Sequence, residues 1–144
     1  MNHRLSLRGA VAALALLWTP ASRAGGLEIS GAAAYWTESS SAFSVTLGKF
    51  WDLAGFQLGP RVGFGYVTSP SSAGVPADLV ARLGIGTFYL EGQAGAWLLF
   101  VREPVVRFHA TGGGGLDLGI VRIGVEGGYL HDGGLFGARV SVAL

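Results

Sequence analysis

The chain has 144 residues and no cysteine, so it holds neither a disulfide framework nor a thiolate metal site. Half of it is hydrophobic, only 13% is charged and 25 residues are glycine, which is too apolar for a disordered chain and lacks the strict period of collagen. The formal net charge is +1 and carries no basic footprint of a nucleic-acid binder.

The first element to read is MNHRLSLRGAVAALALLWTPASRA. Arg4 and Arg8 precede the apolar run Ala10–Trp18, and Pro20 with the small residues Ala21, Ser22 and Ala24 closes it. This is the layout of a secretory signal peptide cleaved after Ala24, and its apolar run is too short to span a bilayer. With no cysteine near that point, a lipoprotein anchor is not expected. The expected domains are therefore residues 1–24, the signal peptide, and 25–144, the mature domain. Removing Arg4, Arg8 and Arg23 leaves seven Lys/Arg against nine Asp/Glu, a formal charge of −2.

Beyond this segment no apolar run is long enough for a membrane-spanning helix, and the hydrophobic period is two rather than 3.6. Leu27–Trp36 sets Leu27 and Ile29 against Glu28 and Ser30, and Ala42–Trp51 follows with a less regular pattern. Phe56–Val67 sets Phe56, Leu58, Val62, Phe64 and Tyr66 against Gln57, Gly59, Arg61, Gly63 and Gly65. Ala77–Gly86 opposes Leu79, Ala81, Leu83 and Ile85 to Asp78, Arg82 and Gly84. In Tyr89–Phe100 the row Leu90, Gly92, Ala94, Ala96 and Leu98 opposes Glu91, Gln93 and Gly95. Arg107–Asp117 carries Arg107, His109, Thr111, Gly113, Gly115 and Asp117 on one face. Val121–Tyr129 splits into Val121, Ile123, Val125 and Tyr129 against Arg122, Gly124, Glu126 and Gly128. The last segment places Phe136, Ala138, Val140, Val142 and Leu144 opposite Gly137, Arg139, Ser141 and Ala143.

Eight strands of about 9–12 residues result, the length that crosses a bilayer at a barrel tilt, whereas globular strands average about five or six. Short turns are expected at Asp52–Gly55, Thr87–Phe88 and Leu118–Gly119. Loops at the other end are expected near Thr37–Ser41, Thr68–Ala77, Val101–Pro104 and His131–Gly134. TSPSSAGVPA reads as the one long, mobile loop, on its Pro, Ser and Gly content.

The faces then decide the solvent. One face is large and apolar; the other is glycine with a few long charged groups, and the mature chain has one lysine, Lys49. Arg61, Arg82, Arg107, Arg122 and Arg139 balance Glu28, Asp78, Glu91, Asp117 and Glu126 in number. Arginine suits buried pairs because its fork bonds a carboxylate twice. The expected architecture is an all-β, eight-stranded, antiparallel up-and-down transmembrane barrel. Its lumen network consists of Glu28, Arg61, Arg82, Glu91, Arg107, His109, Asp117, Arg122, Glu126 and Arg139. Aromatic residues near strand ends are expected to form two interfacial girdles: Tyr35, Trp36, Phe43, Trp51, Phe56, Tyr66, Tyr89, Tyr129 and Phe136.

On its leader, its alternation and its terminal strand LFGARVSVAL, the chain resembles the small eight-stranded outer-membrane barrels of Gram-negative bacteria, the OmpA/OmpX-like superfamily. The resemblance spans Gly25–Leu144 and rests on architecture. It implies an outer-membrane monomer with both termini in the periplasm, surrounded by lipid and inserted by the barrel-assembly machinery. The implied role is structural, adhesive or interaction-related. Such chains usually end in an aromatic residue; this one ends in Leu144, with Phe136 eight positions earlier.

No catalytic, cofactor-binding or metal-binding residue is identified. TGGGGLDLG lacks the Gly-Lys-Ser/Thr of a phosphate loop, and neither G-x-S-x-G nor H-E-x-x-H occurs. Lipid A deacylases share the architecture and carry His-x-Ser; His109-Ala110-Thr111 offers threonine instead, on the inward face, and the match is poor, so a lipid A-modifying barrel enzyme is kept only as an alternative. A soluble exported barrel binding a small apolar ligand in the manner of lipocalins is another. The two barrel readings differ in which face is inside. An open pore is not expected of eight strands.

Overall fold

The structure is a computed structural model that describes residues 26–37, 41–69, 71–100 and 103–144. The segment read as a signal peptide lies outside the described residues. Eight strands follow one another: β1 Leu27–Trp36; β2, in two segments, Ala42–Lys49 and Trp51–Leu53; β3 Phe56–Thr68; β4 Ser71–Ile85; β5 Phe88–Phe100; β6 Val105–Asp117; β7 Val121–Leu130; and β8 Gly133–Ala143. Each pairs antiparallel with its neighbours in sequence, and β1 closes on β8 from Glu28↔Ala143 to Trp36↔Leu135. The result is a closed meander barrel in which every described strand has two partners. Closure satisfies backbone groups that an open sheet would leave at its edges.

The turns explain where the chain reverses. Ala54–Gly55 joins Leu53 to Phe56, with φ +49° and +102°, as a two-residue turn of this hand requires. Between β4 and β5 the pair nearest the turn is Ile85↔Phe88, so Gly86–Thr87 forms it rather than Thr87–Phe88. Between β6 and β7, Asp117 faces Arg122 instead of Ile120. There Asp117 Oδ1 accepts the Gly119 amide at 3.0 Å, fixing a longer loop. Both corrections shift register by two residues, which leaves every side chain on its expected face. At the other end His131–Asp132 closes a two-residue hairpin, Leu130↔Gly133.

The largest difference from expectation is TSPSSAGVPA. It is strand almost throughout: β3 and β4 pair as far as Thr68↔Ser71. Pro76 is fully buried inside β4 and pairs with Trp97 of β5. On the β3 side, pairing is interrupted between Val62↔Ala77 and Gly65↔Gly74, next to the proline that has no N–H to give. Composition suggested a loop; the alternation Ser72, Gly74, Pro76, Asp78 carries the strand instead.

Glycine allows the wall to curve this tightly. A Cβ on Gly113 would stand 2.1 Å from the Val125 carbonyl oxygen, and one on Gly59 1.9 Å from that of Lys49. The glycine run of β6 is thus a site of close strand approach, as expected for barrel glycines and not for a phosphate cradle.

The interior is stratified. At the end that holds both termini it is polar and charged. At the opposite end it is an apolar plug of Trp36, Ala42, Val67, Trp97, Leu99, Leu130 and Leu135. The Trp36 indole N–H donates to the Leu130 carbonyl at 3.0 Å, so the plug's largest ring is anchored across the lumen.

Candidate functional site: the filled lumen

Strand parity aims the charged side chains inward, and barrel register decides which of them meet. Glu28 on β1 is the acceptor at the centre. It takes Arg82 Nη1 and Nη2 at 2.9 Å each, Arg61 Nη2 at 3.2 Å and Arg122 Nη1 at 2.5 Å. Glu91 on β5 bridges the same arginines: Arg61 Nη1 at 2.8 Å, Arg82 Nε at 2.8 Å and Arg82 Nη2 at 2.5 Å. Arg122 Nε turns to Asp117 at 2.8 Å. Three guanidinium groups and three carboxylates therefore interlock, each bond charge-assisted and several of them forked. Arg61 is 1% exposed and Glu28 2%. Ions so far out of water hold only because nearly every lone pair and proton has a partner.

Aromatic rings close the floor beneath this cluster. Phe50 sits at the break in β2, 2% exposed, with the Arg82 guanidinium 4.6 Å from its ring centre and that of Arg61 at 5.6 Å. The Tyr89 ring lies 5.6 Å from Arg82 on another side. Arginine is weakly hydrated and stacks well on such faces. A Cβ at Gly48 would collide with the Phe50 ring at 2.7 Å, so glycine beside it makes the space. Proximity to a strand end puts Phe50 among the rim aromatics, and the structure corrects this by placing it inside. Its parity with Thr46 and Gly48 was the signal that could have found it.

Higher in the lumen a second group forms. Glu126 binds Arg139 through Nε and Nη2 at 2.8–3.2 Å. Gln93 joins the two groups, accepting from Arg61 at 2.9 Å and donating to Thr111 at 2.7 Å and Glu126 at 3.2 Å. Above it, His109 Nδ1 meets Asp78 Oδ1 at 3.1 Å, and Trp97 packs edge-on to the imidazole at 6.1 Å.

All ten expected luminal residues point into the barrel. Nine of them are linked in these clusters or in the His109–Asp78 pair, and Arg107, half-buried, has its guanidinium 5.5 Å from the Trp36 ring centre. Arg122 and Glu126 do not bond each other: Arg122 bonds Glu28 and Asp117, and Glu126 bonds Arg139 on the neighbouring strand.

Of the aromatic residues expected at the rims, Tyr35, Phe43, Trp51, Phe56, Tyr66, Tyr129 and Phe136 are exposed on the outer face. Trp36 and Tyr89 correct that expectation, being 2% and 5% exposed inside the lumen. Trp36 shares the inward parity of Glu28 and Ser30, and Tyr89 that of Glu91; position near a strand end does not override the pleat. Tyr89 also needs the missing side chain of Gly124, whose Cβ would fall 2.3 Å from its hydroxyl.

The outer wall is the reverse of the interior. Phe108 is 71% exposed, Val125 69% and Phe64 58%. What remains empty inside amounts to gaps of about water size. Such a lumen can hold side chains rigidly, but it offers no apolar cavity to a ligand among the described residues. No helix of the described residues is long and apolar enough to cross a membrane, a test that does not bear on strands.

No family model matches the chain, and no curated protein does. Among solved structures it is similar to a chain from the de novo design of transmembrane β-barrels, with a TM-score of 0.69 at 15% identity, over 85% of this chain and 98% of that one. Its fold is that of a transmembrane β-barrel. A weaker likeness is to Neisserial surface protein A (NspA), with a TM-score of 0.49 at 11% identity, over 82% of this chain and 96% of that one. In this barrel the polar residues are the core and the apolar residues the surface, the arrangement of faces that transmembrane barrels have.

Proposed function

We propose that the chain is an integral outer-membrane barrel that presents its far end to the cell exterior and serves a structural, adhesive or interaction role. The observation that carries this is the inversion of the faces. Arg61, Arg82 and Glu28 are all but sealed, while Phe64, Phe108 and Val125 stand outward. In water that outer wall would be one continuous sticky surface, far beyond the patch a soluble monomer leaves exposed. In lipid it is the natural solvent face, with Trp51 and Phe56 toward one interface and Tyr35, Tyr66, Tyr129 and Phe136 toward the other.

The same inversion disfavours the lipocalin-like reading, which needs an apolar interior. A lipid A-modifying activity would need a reactive group on the outer wall; His109 is instead 4% exposed and faces Asp78 inside. The lumen is occupied along its length, so the role lies in surface and scaffold, not in passage. Export through the periplasm, with residues 1–24 removed on the way, completes this reading.

Cell fractionation combined with heat-modifiable gel mobility tests it. The expected result is recovery in the outer-membrane fraction, a need for detergent, and a band that shifts on boiling. A buffer-soluble protein with no shift would overturn it.

A further inference from the structure

One gap in the lumen differs from the others in the polar groups around it. It lies under the apolar plug, and its lining includes Thr46, Asp78, Trp97, His109, Glu126 and Arg139. Thr46, Trp97, His109 and Arg139 are each more than nine-tenths buried. Three of these residues carry a buried polar atom with no hydrogen-bond partner among the described residues: Thr46 Oγ1, Trp97 Nε1 and Arg139 Nη1. Elsewhere in the lumen Arg61 Nε also lacks a partner among the described residues, but Arg61 does not line this gap. Arg139 spends Nε and Nη2 on Glu126, and Trp36, the other tryptophan of the plug, has its N–H on the Leu130 carbonyl. Buried donors are almost never left unmade, because each costs about 1–3 kcal/mol.

The chemistry of the lining selects the occupant. Trp97 Nε1 and Arg139 Nη1 can only donate, so the occupant must accept at least two hydrogen bonds, which excludes a cation. An anion would share the cavity with the Asp78 and Glu126 carboxylates. Among the described lining residues the one arginine is Arg139, already engaged by Glu126, so a third negative charge there would be unpaired and buried. Water satisfies both conditions. It accepts from Trp97 and Arg139 and still has hydrogens for Thr46 Oγ1, the Glu126 carboxylate or the imidazole. The gap has room for about one or two water molecules.

We infer that the cavity bounded by Thr46, Trp97, His109 and Arg139 is an internal water-binding site, holding one or two long-lived waters that connect the His109–Asp78 pair to the Glu126–Arg139 pair. The apolar plug closes it on one side and the Gln93 bridge with the arginine cluster on the other. Exchange of that water with bulk therefore requires the barrel to open locally.

The test uses the full mature chain refolded in detergent micelles or nanodiscs, with indole ¹⁵N–¹H resonances assigned. Water-selective cross-relaxation is expected to give a cross peak at the Trp97 indole N–H with the sign of a long-lived bound water. Trp36 is the internal control, expected to give none. Replacing chloride by a bulky organic anion is expected to leave the Trp97 shift unchanged. A resolved Trp97 indole with no cross peak to water would show a dry cavity and overturn the inference. A Trp97 shift that titrates with chloride would make the occupant a halide and overturn it equally.

Discussion

The two ends of the lumen are held together by opposite physics. At the end with the termini, Glu28, Arg61, Arg82, Glu91, Asp117 and Arg122 interlock through hydrogen bonds whose partners are all specific. At the far end Trp36, Leu99, Leu130 and Leu135 pack as an ordinary apolar core. Apolar packing tolerates exchange among shapes of similar volume, whereas the ionic end tolerates almost none, since removing one member strands the others. One barrel thus carries a forgiving half and an exacting half, and the same outward apolar wall encloses both.

Substitutions that separate the halves should rank accordingly. Glu28→Ala removes the acceptor shared by three arginines and is expected to have the largest effect, at or above the upper end of ~3–5 kcal/mol for a broken buried pair. Denaturant unfolding in detergent, read by the folded-to-unfolded gel shift, measures it, and a wild-type midpoint would refute a cooperative ionic core. Trp36→Ala opens a cavity in the plug and frees the Leu130 carbonyl. Its expected cost is near the lower end of ~3–5 kcal/mol, because the neighbouring apolar side chains of the plug can partly close over the space. If it exceeded Glu28→Ala in the same assay, the ranking of the two halves would be reversed. Ala54→Gly lies in neither half. Ala54 adopts φ +49°, a conformation that costs an alanine about 1 kcal/mol, so glycine there should raise the unfolding midpoint slightly. A fall in midpoint would show that the turn is not strained.

Much of this was legible from residue order alone, for a reason visible in single strands. A period of two assigns faces regardless of register, so it puts Arg122 and Glu126 inside without any knowledge of pairing. Proximity to a strand end suggests a rim for Trp36 and Tyr89, but that same period puts both inside. Register was less legible because turns set it. Gly86 and Gly119 have φ of +63° and +94°, and each hairpin sits two residues out of the expected register, the first with a turn of the same length and the second with a longer loop. Pairing among charges was not legible at all. Glu28 meets Arg61, Arg82 and Arg122 from 33, 54 and 94 positions away, and only the accumulated stagger around the wall brings them level. Pro76 misled for a different reason: its composition signal is local, whereas the strand around it is held by β5.

The seam between β1 and β8 has a consequence in time as well as in space. Ser30 Oγ and Ser141 Oγ meet at 2.9 Å across 111 residues of chain, and the Leu144 amide donates to the Leu27 carbonyl beside them. Until the last strand arrives, β1 and β7 both present unpaired backbone, which a bilayer penalises and another chain could capture. Barrel closure is therefore expected to be nearly all-or-none in chain length. A nascent chain lacking β8 is a sheet with two adhesive margins, and those few final residues convert it into a surface with none.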